Sequence, residues 1–424
     1  IINLSKSITM KLEKYSFGTG DRFGMQGKAQ LNAIKKARND GINIVPVWNK
    51  SNREHQIIDT VQADVRKEAD ESVKELNWIE NYYVDADHIN LSNVDPFIEH
   101  SDFFTIDVAD FIGKKAEKND VERFIRKNEK YTGKFEIEGS EESYELSPEE
   151  LNKIADRYLF AIQKASSIYG YIREKKGENN FIAEVSMDEV EEPQTPVELF
   201  FILSGLAAEG VPLQTIAPKF SGRFNKGVDY IGDIKQFKTE FEADLLVIDK
   251  AIKEFDLPSN LKLSVHSGSD KFTIYPIMGE LIQKYNKGIH VKTAGTTWLE
   301  EAIGLALAGG EALEMVKSIY QKAYQRREEL CAPYATVIDI NEDFLPLPGE
   351  VEAWDGEQFA TALRHDPNQP AYNPSMRQLI HVGYKIAAEY GNEYLEMLRK
   401  NEEIVARQVT ENIYERHIRR LFNI

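Results

Sequence analysis

The stretch LKLSVHSGSDK (261–271) carries the pattern that decides the fold. Leu261, Leu263 and Val265 alternate with polar residues, which is the period-two pattern of a β-strand. When this apolar set packs outward against helices, the other face points inward at the carboxyl end of the strand. Its members are Ser264, His266, Gly268 and Asp270. In barrels built from strand–helix units that end carries the chemistry, so the stretch predicts a buried strand that ends in a functional cluster.

Seven other stretches combine an apolar strand pattern with a polar carboxyl end. They are 14–27, 41–52, 81–97, 102–113, 179–189, 212–220 and 287–295. Over most of the chain the spacing from strand to strand suits strand–helix units, which implies parallel pairing. Eight such strands predict an α/β protein with a (β/α)8 TIM-like barrel.

Two regions depart from this rhythm. Residues 114–146 are charged and weakly periodic, which is typical of a surface insertion. The next residues, Ser147-Pro148-Glu149-Glu150, form a capping box with proline at the first helical position, and predict a helix to about Gly177. From residue 298 the pattern is mostly helical. We therefore predict a barrel over 1–300 with a helical insertion near 114–178, and a helical C-terminal extension over 301–424 that packs on the barrel.

The bulk composition excludes several classes of protein. The chain has 424 residues and a net charge of −18, which argues against nucleic-acid or anionic-membrane partners. A single cysteine, Cys331, excludes an internal disulfide framework and a cysteine-built zinc site. The sequence contains no run of 18 apolar residues and no secretory signal near its start. These features predict a soluble cytoplasmic protein and leave the oligomeric state open, a homo-oligomer included.

The stretch VDADHI (84–89) ends in a cluster of ionisable residues. Asp85 and Asp87 share one face of the predicted strand, and His88 stands at its end. One interpretation is metal ligation combined with a general base. The other is that helix N-termini and loop amides satisfy the two carboxylates. This stretch alone does not separate the two.

A second acidic cluster lies in AEVSMDE (183–189). Glu184, Ser186 and Asp188 alternate toward the barrel interior, while Glu189 stands just past the strand and reaches the site from a loop. An unpaired buried glutamate is costly, so Glu184 requires hydrogen-bond donors, a basic side chain or a metal ion.

Cationic residues supply candidates for binding an anionic substrate. Lys219 and Arg223 lie in the glycine-containing stretch 217–233, which follows a strand, and Lys292 lies at the end of the strand in 287–295. The alternative for the loop is a flexible polar connection without ligand. Arg377 begins a stripe at i, i+4 and i+8 on a predicted helix, which either faces a substrate carboxylate across the barrel mouth or is a solvated face. The chain shows no nucleotide-binding motif.

A metal site in this chain must use histidine and carboxylate ligands, because cysteine is unavailable. That ligand set suits Mn, Co, Ni, Zn or Fe(II) without selecting among them. His88 and His266 are the preferred pair. Asp229 is the predicted third ligand, with Glu184 as its competitor.

Four motifs in this order resemble the tagaturonate/fructuronate epimerase family. They are VDADHINL, AEVSMDE followed by PQTP, PKFSGRFNKGVDYIGD and YNPSMRQLIHVGYKIAAE. The resemblance covers about Gly18 to Glu389 and implies an α/β barrel, a divalent metal and a hexuronate ketose as substrate. It also implies Asp87 as base, His88 and His266 as metal ligands, and Asp188 or Glu189 as the opposite proton donor.

The two ketoses of that family differ at the carbon β to the ketone, whose hydrogen is not acidic. This favours metal-assisted retro-aldol chemistry over direct deprotonation. Two other functions compete with the epimerase. One is a metal-dependent aldose–ketose isomerase, which would yield an aldose, and the other is a non-catalytic sugar-acid binding protein, which would tolerate Asp87→Asn.

Overall fold

A closed barrel of eight parallel strands forms the centre of the molecule. The computed structural model describes residues 10–140, 142–267, 270–293 and 295–424. The strands within these residues are β1 Tyr15–Gly20, β2 Ile44–Ser51, β3 Tyr83–Ile89, β4 Phe103–Asp107, β5 Gly133–Glu136, β6 Ser143–Leu146, β7 Ile182–Ser186, β8 Thr215–Ala217, β9 Lys262–His266 and β10 Ile289–Thr293. All eight stretches predicted as strands contain one, which confirms the predicted barrel.

The barrel closes in the order β1-β10-β9-β8-β7-β4-β3-β2, and every neighbouring pair is parallel. The period-two pattern explains how the barrel wall packs, because the apolar face of each strand points outward to the surrounding helices. In β9, Leu263 and Val265 belong to the buried apolar core, while Ser264 and His266 occupy the other face. Since all strands run the same way, their polar carboxyl ends meet at one rim.

Helices surround the barrel and form most of the C-terminal extension. They are α1 Gly27–Asn39, α2 Asn52–Ile58, α3 Gln62–Glu75, α4 Lys118–Asn128, α5 Pro148–Lys176, α6 Pro196–Ala208, α7 Ile234–Phe255, α8 Tyr275–Lys284, α9 Thr296–Ala308, α10 Gly310–Gln325, α11 Arg327–Cys331, α12 Pro348–Glu352, α13 Gly356–Leu363, α14 Pro374–Val382, α15 Tyr384–Tyr390, α16 Asn392–Lys400, α17 Glu402–Glu411 and α18 Arg419–Phe422, with a π-helix at Asn412–Ile418 between the last two. Among the described residues, none of these helices is long and apolar enough to cross a membrane.

The start of α5 follows from its local sequence. Ser147 Oγ accepts from the Glu150 backbone N–H at 3.1 Å, and the Glu150 carboxylate accepts from the Ser147 N–H at 2.7 Å. Pro148 occupies the first helical position, where its missing N–H costs nothing. This is the predicted capping box, and the helix ends at the predicted Gly177.

The insertion packs on the outer helical layer. It contains α4 and an antiparallel hairpin of β5 and β6. Phe135 of β5 contacts Phe200 of α6, with ring centroids 5.0 Å apart. None of the described residues that line the cavity reported below comes from this insertion.

The end of the chain returns to the barrel. Helix α17 packs against α1 and α9, and α18 packs against α8. Thr410 Oγ1 donates to the carbonyl of Ala29 at 2.9 Å. The last two helices therefore fill the outer layer between α1 and α8, while α9 and much of the extension share a separate apolar core that includes Trp298 and Tyr320.

Candidate active site

A cavity of about 780 Å³ opens at the carboxyl ends of the barrel strands. Residues 333–337 of the extension form part of its wall. The lining side chains at or just after strand ends include Ser51, Asp87, His88, Asp107, Asp188, Lys219, His266 and Lys292. The cavity therefore lies where barrels of this type carry their chemistry.

Lys292 is the buried centre of a carboxylate network at this cavity. Its Nζ lies 2.6 Å from Asp85 Oδ2, 2.8 Å from Asp87 Oδ1 and 3.3 Å from Glu184 Oε1. Burial favours the neutral amine, but these carboxylates raise the pKa of Lys292 well above its usual value. Lys292 is therefore a fixed positive charge, and it supplies the partner that the buried Glu184 requires.

The two aspartates on one face of β3 differ in protonation. Burial raises the pKa of Asp85 to about 7 despite Lys292, and the charges of Asp87 and Glu184 add to the rise. Burial also opposes ionisation of Asp87, but Lys292 and His88 outweigh it and lower its pKa to about 2. At neutral pH, Asp87 is therefore an ionised carboxylate that faces the cavity, whereas Asp85 is protonated part of the time.

His266, at the end of β9, lies between two acids. Its Nε2 hydrogen-bonds Glu184 Oε1 at 2.7 Å, and its Nδ1 lies 3.2 Å from Asp188 Oδ1. When Nε2–H donates to Glu184, Nδ1 faces a carboxylate oxygen, and either a proton or a metal ion on Nδ1 satisfies that contact. Burial opposes protonation, yet Asp188 raises the pKa of His266 to about 9, which reflects the same demand for positive charge.

His88 reaches the cavity because its backbone leaves the regular strand geometry. Its φ is 52°, and the pairing of β3 with β4 shifts register between Ala86 and Ile89. This left-handed conformation is strained for a residue that has a Cβ, and such backbone strain is concentrated at functional sites. In a regular strand His88 would point to the face opposite Asp87. The bulge instead brings its ring to 5.3 Å from that of His266, measured between centroids.

Two groups of side chains converge as metal ligands do. The ligand atoms of His88, Asp188 and His266 all lie within 4.8 Å of one another, and so do those of His88, Asp107 and Glu189. Two histidines and one carboxylate suit Mn, Fe, Co, Ni and Zn. The three carboxylates around Lys292 and the carboxylate of Asp188 beside His266 Nδ1 fit a divalent cation at the first group.

Three cations at the cavity, Arg53, Lys219 and Lys226, make no ion pair within the described ranges. The guanidinium of Arg53 stacks on Tyr334, 5.1 Å from the ring centre. Burial lowers the pKa of Lys219, although Asp188 and Glu189 oppose that effect. These cations provide attachment points for an anionic group on a ligand.

The structure brings together most of the residues that the sequence nominated. Those that line the cavity are Asp87, His88, Asp188, Glu189, Lys219, Arg223, His266 and Lys292. Arg223 is half-exposed and pairs with Asp339 at 3.1 Å. Gly268, which we predicted to face inward, lies outside the described residues.

Two nominated residues are placed elsewhere, because structural hydrogen bonds occupy them. Asp229 accepts from the backbone N–H and the hydroxyl of Thr273, at 3.2 Å and 3.0 Å. Arg377 is fully buried and donates to Asp270 Oδ2 at 2.8 Å and to the carbonyl of Gly227 at 2.6 Å. Arg377 thereby fastens α14 to the loops of the barrel and does not line the cavity.

Sequence reasoning missed Asp107 and Arg53. Asp107 is the last residue of β4, and the same apolar-strand, polar-end pattern that nominated Asp87 could have found it. Arg53 follows the polar end of β2, where the sequence gives no clue that its side chain turns to the cavity.

The chain is similar to known epimerases. A family model described as UxaE, tagaturonate epimerase, matches residues 1–421. A curated tagaturonate/fructuronate epimerase from Thermotoga maritima is 30% identical over 419 residues, which are 95% of this chain and 80% of that protein. The crystal structure of fructuronate-tagaturonate epimerase UxaE from Cohnella laeviribosi with one glycerol has a TM-score of 0.81 at 24% identity, over 97% of this chain and 82% of that one. Its native crystal structure has a TM-score of 0.79 at the same identity and coverage. The structural likeness supports the fold of barrel and extension together.

Proposed function

The chain belongs to the tagaturonate epimerase family and is an isomerase, and from that premise we propose that it interconverts D-tagaturonate and D-fructuronate with a divalent metal and retro-aldol chemistry. The observation that carries the metal-dependent part is the convergence of His88, Asp188 and His266, whose ligand atoms all lie within 4.8 Å of one another. The motifs that pointed to this family surround the same cavity.

The reaction inverts C4 of the 2-ketose, a carbon whose hydrogen is not activated by the ketone. Loss of the C4 hydroxyl proton lets the C3–C4 bond break, and its electron pair forms an enediolate of carbons 1 to 3. Carbons 4 to 6 become an aldehyde that keeps the original C4 hydrogen. After the aldehyde turns its other face, the C3–C4 bond forms again, and the C4 oxygen regains a proton.

The ligand set for the metal is His88, Asp188 and His266. The chemistry that a bound divalent cation supplies is polarisation of a substrate oxygen and neutralisation of the negative charge that develops on it. With Asp188 assigned as a ligand in place of the predicted Asp229, two acids of the cavity remain for proton transfer, Asp87 and Glu189.

Asp87 is the proposed base. Its low pKa keeps it ionised at neutral pH, and Lys292 holds its Oδ1 at 2.8 Å. It accepts the proton of the C4 hydroxyl on one face of the substrate. Glu189, exposed at the cavity wall after β7, donates a proton to the C4 oxygen on the other face. One forward turnover leaves Asp87 protonated and Glu189 ionised, so proton exchange with solvent resets both groups, and the reverse reaction uses the pair in the opposite roles.

Metal-stripped protein incubated with fructuronate in D2O tests this proposal. We expect tagaturonate in the proton NMR spectrum only after addition of Mn, Co, Ni, Zn or Fe(II), with ordinary hydrogen retained at C4. Deuterium at C4 would contradict the retro-aldol route. Equal turnover in chelator would contradict the metal, and an aldose product would identify an isomerase instead.

Lys219→Met is expected to raise KM for both uronates about 10- to 100-fold, because it removes a charge-assisted contact to the substrate carboxylate. The value of kcat/KM for a neutral ketose such as tagatose, if measurable, should stay within about threefold of wild type. Steady-state kinetics on both substrate types checks the prediction.

Arg223→Met is the matched control, because Arg223 also lines the cavity but already pairs with Asp339. It should change KM for the uronates less than about threefold. Equal losses on charged and neutral ketoses in Lys219→Met would show that Lys219 does not recognise the carboxylate.

A further inference from the structure

Each histidine of the proposed ligand set has a carboxylate on one ring nitrogen. His88 Nδ1 lies 3.1 Å from Asp107 Oδ2, and His266 Nε2 lies 2.7 Å from Glu184 Oε1. We propose that Asp107 and Glu184 are positioning residues that fix which nitrogen of each histidine binds the metal. The inference rests on the metal site proposed above and goes beyond it, since neither acid is itself a ligand in this assignment.

Asp107 is held in place by its own hydrogen bonds. Its Oδ1 accepts from the backbone N–H of Ala109 at 3.0 Å, and its Oδ2 accepts from His88. Both carboxylate oxygens are therefore in use. This favours Asp107 as the orienting partner of His88 over the alternative group, in which Asp107 and Glu189 would bind the metal with His88.

Glu184 is held even more firmly in the barrel interior. Thr215 Oγ1 donates to its Oε2 at 2.7 Å, and Lys292 Nζ lies 3.3 Å from its Oε1. Its side chain is fully buried. A carboxylate so fixed leaves the His266 ring one orientation in which Nε2–H donates to it and Nδ1 faces Asp188.

A carboxylate can only accept a hydrogen bond, so it selects the histidine tautomer. Asp107 requires the proton of neutral His88 on Nδ1, and Glu184 requires that of neutral His266 on Nε2. The lone pairs are then on His88 Nε2 and His266 Nδ1, ready for a cation. Partners of this kind orient ligand histidines and raise their basicity, and their loss typically weakens metal binding about 10- to 100-fold.

Asp107→Asn separates this role from a role in the fold. The introduced amide has one acceptor oxygen, which the Ala109 N–H retains, so its NH2 group faces His88 Nδ1. His88 must then move its proton to Nε2, where it blocks the metal. Neighbouring Asp110→Asn is the matched control, because Asp110 is exposed and does not line the cavity.

The test measures Mn and Zn affinity of the full-length, metal-stripped protein by competition with a chelating dye. We expect Asp107→Asn to weaken binding about 10- to 100-fold, Glu184→Gln to weaken it at least as much, and Asp110→Asn and Glu189→Gln to leave it unchanged. Unchanged affinity in Asp107→Asn overturns the inference, and so does a loss in Glu189→Gln that equals the loss in Asp107→Asn, because Asp107 and Glu189 would then be ligands. A wild type that binds neither metal overturns the proposed metal site itself.

A second readout keeps the inference testable if affinity falls through misfolding. In protein labelled with 15N at histidine, imidazole nitrogen shifts of the metal-free form at high pH report which nitrogen carries the proton. We expect the His88 proton on Nδ1 in wild type and on Nε2 in Asp107→Asn. The same tautomer in both proteins would overturn the inference.

Discussion

Replacing Asp87 with Asn is expected to lower kcat for the interconversion about 10³-fold while the barrel keeps its fold. The amide has nearly the shape of the carboxylate but cannot accept the C4 hydroxyl proton. Lys292 keeps Asp85 and Glu184 as partners, at 2.6 Å and 3.3 Å, so its charge stays compensated. Steady-state kinetics, thermal unfolding and metal affinity of the same preparation check the prediction.

Asp229→Asn is the matched control for this substitution. The sequence nominated Asp229 as a metal ligand, but its side chain is hydrogen-bonded to Thr273. An asparagine still accepts from that backbone N–H, so kcat should stay within about threefold of wild type. An Asp87→Asn enzyme that keeps a tenth of its activity is incompatible with Asp87 as the base. Loss of metal affinity together with activity would make Asp87 a ligand.

The fold was predictable because each barrel strand carries its own signature. In β9 and β3 the apolar residues alternate and the polar residues lie at the carboxyl end. Parallel pairing then brings the polar ends of all strands to the same rim of the barrel. The hairpin of β5 and β6 was not foreseen. Each of its strands has only four residues, and its main apolar anchor, Phe135, packs on helix residues distant in sequence.

The closure of the outer layer depends on contacts that local patterns do not encode. Helix α17 packs on α1, although most of the chain separates the two helices in sequence. The hydrogen bond from Thr410 to the carbonyl of Ala29 belongs to this contact. No periodicity reveals that partner. The last helices pack on the helices of the barrel. The boundary between barrel and extension near residue 300 stays a prediction.

The candidate site was partly predictable for the same reason as the strands. Alternation placed Asp87 and Asp188 on inward faces, and the strand ends nominated His266 and Lys292. Sequence could not show that a left-handed residue at His88 turns its ring toward the neighbouring acids. Nor could it distinguish a basic side chain that faces a cavity from one that is buried and hydrogen-bonded inside the protein, as Arg377 is.

Lys292→Met is expected to destabilise the protein by about 3–5 kcal/mol at pH 7.5, because it leaves buried carboxylates without their cation. Equilibrium urea unfolding followed by circular dichroism measures the effect. Lys262→Met is the matched control at the other end of the barrel wall. Lys262 is also buried, but burial lowers its pKa to about 7, and its Nζ bonds only the carbonyl of Glu13 among the described residues. That control should lose no more than about 1.5 kcal/mol.

The loss in Lys292→Met should grow as pH rises from 5 to 8. In the wild type Lys292 helps to depress the pKa of Asp87 and Glu184 below unfolded values of about 4, so the stability they contribute is present above that pH and is lost as pH falls through the folded pKa. Lys292 itself has a raised pKa and stays charged at any pH below its unfolded value of about 10.4. Without it, burial raises the pKa of these carboxylates, so the folded variant binds more protons than the unfolded chain and loses stability with rising pH. A difference from wild type that is constant between pH 5 and 8 would show that Lys292 contributes by packing and not by charge.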